Sequence, residues 1–303
     1  MTNCETSGSL FSDELSSSSV SQTQADPSGI TVVILSYERM WALAALLKSL
    51  LRQDLDGLGL EVMICNNSQR VHLRKNRFSR VGRRLSRLSD VKIFNSSFDW
   101  HTQVRYGLGT LAKYEVVLFL DDDIVLLDKN FLRYMFETFK KLGPTDMLSC
   151  WCEIWLDWTG KSIKGAGLTF RDKSLTELTR VDFCGMGVCM LRKRLLFHPM
   201  VANMSMGDER VRDYLFPVIA SMESGTQAYF LPSFQKLKFH WQKSKGAICA
   251  KTDFYTASIT LLKALINDGY KPLVVREREL LDNPSSPEAK AVRMGPRTEL
   301  PWT

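Results

Sequence analysis

Short β-branched runs separated by helical patterns fill the first 120 residues, and that alternation constrains the fold more than any other feature of the 303-residue chain. Ile30-Thr31-Val32-Val33-Ile34-Leu35-Ser36 is almost continuously apolar, which suits a strand buried on both faces. After Tyr37-Glu38-Arg39, the residues Leu43, Leu46, Leu47, Leu50 and Leu51 recur at spacings of three and four, the signature of a helix with one apolar face. Asp56-Gly57-Leu58-Gly59 breaks that pattern, and Glu61-Val62-Met63-Ile64-Cys65 reads as a second strand ending at Asn66-Asn67. A third strand is expected at Val91-Lys92-Ile93-Phe94 and a helix around residues 101–113. A fourth strand, Val116 to Leu120, runs directly into Asp121-Asp122-Asp123. The alternation predicts an α/β fold with a Rossmann-like, mostly parallel central sheet flanked by helices. Ligands of such sheets bind beyond the carboxyl ends of the strands. Ser36, Asn66, Asn67 and the three aspartates should therefore meet at one crevice.

The ends of the chain read differently. Residues 1–29 are Ser-rich and low in bulky apolar side chains, so a disordered tail is expected there. Asn283-Pro284-Ser285-Ser286-Pro287 begins a similar stretch, giving an expected folded domain over 30–280 and a flexible tail over 281–303. The hydrophobic fraction of 45% and charged fraction of 24% are ordinary for a globular enzyme. No stretch reaches the roughly 20 apolar residues that span a bilayer, and the first residues lack an apolar signal core. The seven cysteines are odd in number and mostly sit in apolar runs, and Cys150-Trp151-Cys152 lacks metal-knuckle spacing. Reduced, buried thiols in the cytoplasm are the expectation, with a peripheral membrane location left open.

A net charge of +7 is concentrated rather than spread. Arg70, Arg74, Lys75, Arg77, Arg80, Arg83, Arg84 and Arg87 follow one another with no acid between them. Phe78, Val81, Leu85 and Leu88 form an apolar stripe at helical spacing within the same stretch. A basic amphipathic helix of this kind can lie on an anionic membrane surface, and the alternative is a solvated helix whose stripe docks on the sheet. Nucleic acid is the weaker reading, because the basic face lacks interleaved aromatics for stacking.

Three adjacent aspartates at a strand end raise one another's pKa, and a divalent cation relieves that repulsion. Their hard oxygens suit Mg2+ or Mn2+, which can also bridge to a diphosphate. A solvated strand-end turn is the plainer alternative.

Together these segments resemble glycosyltransferases of the GT-A fold, most closely those of the family 2-like type, over roughly residues 30–240. Thr31 to Arg39 is similar to their opening strand and loop, Val116 to Asp123 to their Asp-X-Asp strand, and Asn66-Asn67-Ser68 to the segment that contacts the base. The Asn-Asn and Asp-Asp-Asp segments also resemble exostosin-type enzymes. The resemblance implies transfer of a hexosyl or N-acetylhexosaminyl group from a nucleotide-sugar, with UDP as the expected nucleotide, to a glycan, lipid-linked or other hydroxyl acceptor. It implies Mn2+ or Mg2+ held by Asp121 and Asp123, with a late histidine, His240, as a further ligand. Ser36, Tyr37, Arg39, Asn66, Asn67, Arg105, Asp121 and Asp122 would line the nucleotide-sugar site. Gly185 and Gly187, in Val181 to Met190, would let backbone approach the donor sugar. Trp155 would face the acceptor.

The same resemblance points to an acidic pair at a helix start below the acceptor. Asp208-Glu209 fills that place in reversed order, and either carboxylate can serve as the base that takes the acceptor hydroxyl's proton. Helix capping by Asp208 is the alternative. A nucleotidyltransferase shares the sheet type and the acids, but Ser36-Tyr37-Glu38-Arg39 has no glycine where such enzymes carry a Gly-rich loop. A non-catalytic carbohydrate- or membrane-binding protein is the third class.

Overall fold

A computed structural model of the chain describes residues 29–98, 102–158, 163–169, 171, 173, 175–198, 216–222, 225–239, 260, 263–265, 267 and 297–299. Strand β1 (Gly29–Ser36) leads through helix α1 (Met40–Leu50) to β2 (Gly59–Asn66). The short helix α2 (Arg80–Leu85) precedes β3 (Val91–Asn95), and α3 (Val104–Thr110) precedes β4 (Val116–Asp121). Beyond the aspartates come β5 (Ile124–Leu126), α4 (Phe131–Phe139) and β6 (Met147–Ser149). The second half is richer in strands: β7 (Trp151–Trp158), β8 (Ile163–Thr169), β9 (Thr179–Val181), β10 (Phe183–Cys184) and β11 (Val188–Arg192). A 3-10 turn at Lys193–Phe197 follows, then β12 (Ala228–Phe230), β13 (Leu237–Phe239) and β14 (Arg297–Glu299).

The eight-stranded central sheet has the order β3-β2-β1-β4-β11-β6-β12-β9. Its first four strands are parallel, β11 runs antiparallel between β4 and β6, and β12 is parallel to β6. Side chains in a strand alternate between faces, and here both faces are apolar. Ile30, Val32 and Ile34 of β1, with Val116, Leu118 and Leu120 of β4, pack with Leu43, Leu46 and Leu47 of α1 and Phe131, Met135 and Phe139 of α4. Val33, Val117 and Phe119 point the other way, toward Tyr106 and Leu108 of α3, Leu195, Leu196 and Phe216. The two-sided burial explains why these strands read as unbroken apolar runs.

Helices α2 and α3 are shorter than the sequence patterns suggest. The Phe78-Val81-Leu85-Leu88 stripe is helical over 80–85, capped by Ser79 Oγ accepting from the Gly82 N–H at 2.8 Å. Val81 and Leu85 are buried in the same core as α1, and Leu88 packs against it, so these three dock on the protein body while Phe78 stays exposed. Helix α3 stops at Thr110, and Ala112 to Glu115 turn back into β4. The Tyr114 ring there covers the starts of β1 and β2, where a Cβ at Gly29 or Gly59 would overlap it.

A second, four-stranded sheet in the order β10-β7-β8-β14 adjoins the first. Its last strand, Arg297–Glu299, pairs with β8 from within the stretch expected to be a tail. A two-stranded ribbon joins β13 to β5. Among the described residues, no helix is long and apolar enough to cross a membrane.

Candidate functional site

Strand register decides what stands beside what at the carboxyl edge of the sheet. Ser36 pairs with Asn66, Asn66 with Asn95, and Leu35 with Asp121, so four strand ends finish level. The direction of strand addition reverses between β1 and β4, and a crevice opens at such a switch point. The loop Tyr37-Glu38-Arg39 leaves one side of it and Asp121-Asp122-Asp123 the other.

Arg39 ties the two sides together. Its Nη2 lies 2.5 Å from Asp122 Oδ1 and its Nη1 2.6 Å from Asp123 Oδ2. The Tyr37 N–H donates to Asp122 Oδ2 at 3.3 Å. The Asp122 side chain is fully buried, so its carboxylate faces inward and braces the loop after β1. Glu38 sits within that loop at a φ of 56°, a left-handed conformation uncommon for a residue with a side chain. Such backbone persists where surrounding contacts over-determine it, and the hydrogen bond and ion pairs at the residues on either side do so. Tyr37 leaves 47% of its surface exposed at the crevice mouth.

Asp121 is held from the opposite direction. Arg105, nearly buried on α3, donates from Nη1 to the Met186 carbonyl at 3.0 Å and from Nη2 to Asp121 Oδ1 at 3.3 Å. The Asp121 N–H bonds to the Gly187 carbonyl at 2.9 Å. A Cβ at Gly187 would come within 2.7 Å of Asp121 Oδ2, so glycine is required there by close approach. Gly185 is similarly crowded: a Cβ would lie 3.1 Å from the Trp151 ring and carbonyl. Gly187 thus brings the β10–β11 connection against Asp121, and Gly185 seats it against Trp151.

The asparagines at the β2 end are buried and bonded within the protein. Asn66 Nδ2 donates to the Val71 carbonyl at 2.5 Å and to Asn95 Oδ1 at 3.0 Å, and Asn66 Oδ1 accepts from the Ser68 N–H. Asn95 exchanges two hydrogen bonds with the Leu73 backbone. The Asn67 N–H donates to the Ser36 carbonyl, and Asn67 Oδ1 accepts from Cys65 Sγ. Asn66 is therefore engaged with protein partners, and its side chain fixes the loop that follows β2.

Charge is unevenly compensated. Three carboxylates face two guanidinium groups, Arg39 and Arg105. Burial pushes Asp122 up to about 7, against the pull of Arg39, with Asp123 and Asp121 adding to the rise. Burial and the Asp121 charge push Asp123 up to about 6, again against Arg39. Burial works to lower the Arg39 pKa, but Asp122, Asp123 and Asp121 outweigh it and hold the guanidinium above its ordinary value. The cluster keeps an excess of negative charge.

A divalent cation fits that excess at Asp121 and Asp123. Their side chains are 34% and 17% exposed, while Asp122 is closed off. Each presents one oxygen to an arginine, Asp121 Oδ1 to Arg105 and Asp123 Oδ2 to Arg39. No group of three or more His, Cys, Asp or Glu in metal-holding geometry occurs among the described residues. Magnesium-type sites commonly use one or two carboxylates and complete their shell with water and substrate phosphate. The donor set is of that kind.

Other expected site residues fall elsewhere. Asp208, Glu209 and His240 lie outside the described residues, and for Trp155 only the backbone, within β7, is described. Phe239 pairs with Ile124, the residue after Asp123. Sequence reasoning missed the Arg39 clamp and the part played by Asn95. A basic residue three positions beyond a strand end, with acids at a neighbouring strand end, was the available signal for the first. For the second it was the repeat of asparagine at the ends of both β2 and β3.

No protein-family model matches the chain, and no curated protein is significantly similar to it.

Proposed function

We propose that residues 30–280 form a GT-A-type glycosyltransferase domain that moves a sugar from a nucleoside-diphosphate sugar, with UDP as the expected carrier, to a hydroxyl acceptor. The observation that carries this reading is the switch-point crevice. It sets two partly exposed, charge-crowded carboxylates, Asp121 and Asp123, opposite a braced loop bearing Tyr37. That arrangement suits a metal-bound diphosphate with its base stacked nearby. The four ordered sequence segments resembling such enzymes support it further.

In this reading Asp121 and Asp123 hold Mn2+ or Mg2+, which when bound neutralises charge on the leaving diphosphate. Arg105 orients Asp121, and Asp122 with Arg39 orients Asp123 and the nucleotide loop. Gly185 and Gly187 are assigned to the donor-sugar side, with Gly187 admitting the Asp121 carboxylate where a Cβ would stand. Transfer breaks the bond between the anomeric carbon and the diphosphate oxygen and forms one to the acceptor oxygen. The acceptor's proton passes to a carboxylate, assigned to Glu209 or Asp208, and the nucleoside diphosphate departs. Trp155 is assigned to the acceptor side. Cys65, Cys150, Cys152, Cys184 and Cys189 are buried free thiols, which suits work in a reducing compartment such as the cytoplasm.

A panel of nucleotide-sugars incubated with the chain and Mn2+, scored for release of nucleoside diphosphate, tests the reading. Release from at least one donor, abolished by EDTA, is the expected result. Pyrophosphate release from a nucleoside triphosphate plus sugar phosphate, with no donor hydrolysis, would instead make the chain a nucleotidyltransferase.

A further inference from the structure

We propose that the basic segment around α2 docks the protein on anionic phospholipid bilayers, with Phe78 as the inserting side chain and the surrounding arginines as headgroup contacts. The inference is independent of the transferase reading. It rests on how the segment divides its residues between the core and the surface.

The apolar side is already occupied. Val81 and Leu85 are buried with α1 and Leu73, and Leu88 packs against the same cluster. What remains outward is cationic. Arg80, Arg83, Arg84 and Arg87 follow at helical spacings of three, one and three, so they share the opposite side. Their proximity is evident in Arg84, whose pKa is lowered by burial and then by the charges of Arg80, Arg83 and Arg87. Arg74, Lys75 and Arg77 lie exposed just before the helix. Among the described residues, none of these seven has a carboxylate within 4.0 Å, whereas Arg70 at the segment's start meets Glu38 at 3.7 Å. Like charges held together without counter-charges raise the energy of the free protein, and a polyanionic surface lowers it.

Phe78 selects among polyanions. It is 85% exposed at the turn before α2, the most exposed large apolar side chain among the described residues. The Arg77 guanidinium lies over its ring, 5.6 Å from the centroid. One apolar ring rimmed by arginines matches the boundary between headgroups and acyl chains, where the ring enters and the cations stay at the phosphates. Single-stranded nucleic acids are held by several aromatics that stack successive bases, and Phe78 is the one Phe, Tyr or Trp between Arg70 and Leu88.

Co-sedimentation of the full chain with phosphatidylserine-containing vesicles and with pure phosphatidylcholine vesicles tests the proposal. Binding to the acidic vesicles alone is expected. It should collapse in about 1 M salt, where the screening length shrinks to about 3 Å. A basic side chain near an anionic surface contributes about fivefold, so R77Q/R80Q/R83Q/R87Q should weaken partitioning by on the order of 10²–10³-fold. The corresponding Arg→Lys variant retains the charge and should keep most of it. Phe78→Ala should lose about tenfold, with the salt dependence unchanged. These side chains are exposed, so a circular-dichroism melt matching the wild type verifies that each variant folds. No binding to acidic vesicles, undiminished binding by the Gln variant, or tighter binding to an RNA oligonucleotide than to vesicles at matched salt would overturn the proposal.

Discussion

At the scale of single residues, the site is governed by crowding of charge against limited space. Asp122 and Asp123 are raised from 3.8 to about 7 and about 6, chiefly by burial. A carboxyl whose folded pKa exceeds its unfolded value binds its proton more tightly in the folded state. Its contribution to stability is therefore greatest below the unfolded value and declines as pH rises toward the folded one. The melting temperature of the wild type relative to Asp122→Asn should accordingly fall between about pH 4 and about pH 7, since the amide keeps an acceptor for the Tyr37 N–H without a charge. A relative rise over that window would contradict the assignment. Space is tested by Gly187→Ala, whose new Cβ would stand 2.7 Å from Asp121 Oδ2. Displacing that carboxylate from Arg105 should cost about 1–3 kcal/mol in a denaturant titration. An unchanged midpoint would show that Asp121 can move aside freely. Local periodicity reports none of these pairings, because Arg39 and Asp123 lie 84 positions apart, and the one signal for them is a basic residue and acids beyond neighbouring strand ends.

At the scale of elements, legibility followed the number of buried faces. Strands β1, β2 and β4 are covered on both sides, so their apolar runs are unbroken and their ends fall within two residues of those expected. Helix α1 was equally plain, since Leu43, Leu46, Leu47 and Leu50 are all buried at regular spacing. Leu47→Ala should therefore cost about 2–5 kcal/mol by equilibrium unfolding, as for other fully buried leucines; a loss within error would show that the layer is loosely packed. Helix α3 ends early because the chain must turn for Tyr114 to seat over Gly29 and Gly59, a tertiary demand that overrides the local pattern. Its own Gly107 and Gly109 also weaken it as a helix. The antiparallel pair of β7 and β8 is not legible in the sequence, because Trp151, Trp155 and Trp158 fall at spacings of four and three, which hides a strand. The basic stripe left two readings open in the sequence, and the structure turns Val81, Leu85 and Leu88 into the core while Phe78 stays exposed.

At the scale of the whole molecule, one sheet edge gathers Ser36, Asn66, Asn67 and the three aspartates at neighbouring strand ends. The level ends of β1, β2, β3 and β4 result from register, and register is fixed by the two apolar faces, since a one-residue slip would reverse every side chain. The carboxylates are thus placed by the same packing that makes the fold stable. The central claim is that this edge binds a nucleoside diphosphate through a divalent cation at Asp121 and Asp123. Calorimetric titration of UDP into the chain, with Mn2+ and again in EDTA, for the wild type and Asp123→Ala, measures it directly. The account predicts saturable binding with Mn2+, weakened at least about tenfold by chelation and by the substitution, an effect of about 1.4 kcal/mol or more. Equal affinity in Mn2+ and in EDTA, or an Asp123→Ala chain that binds as the wild type does, would contradict it.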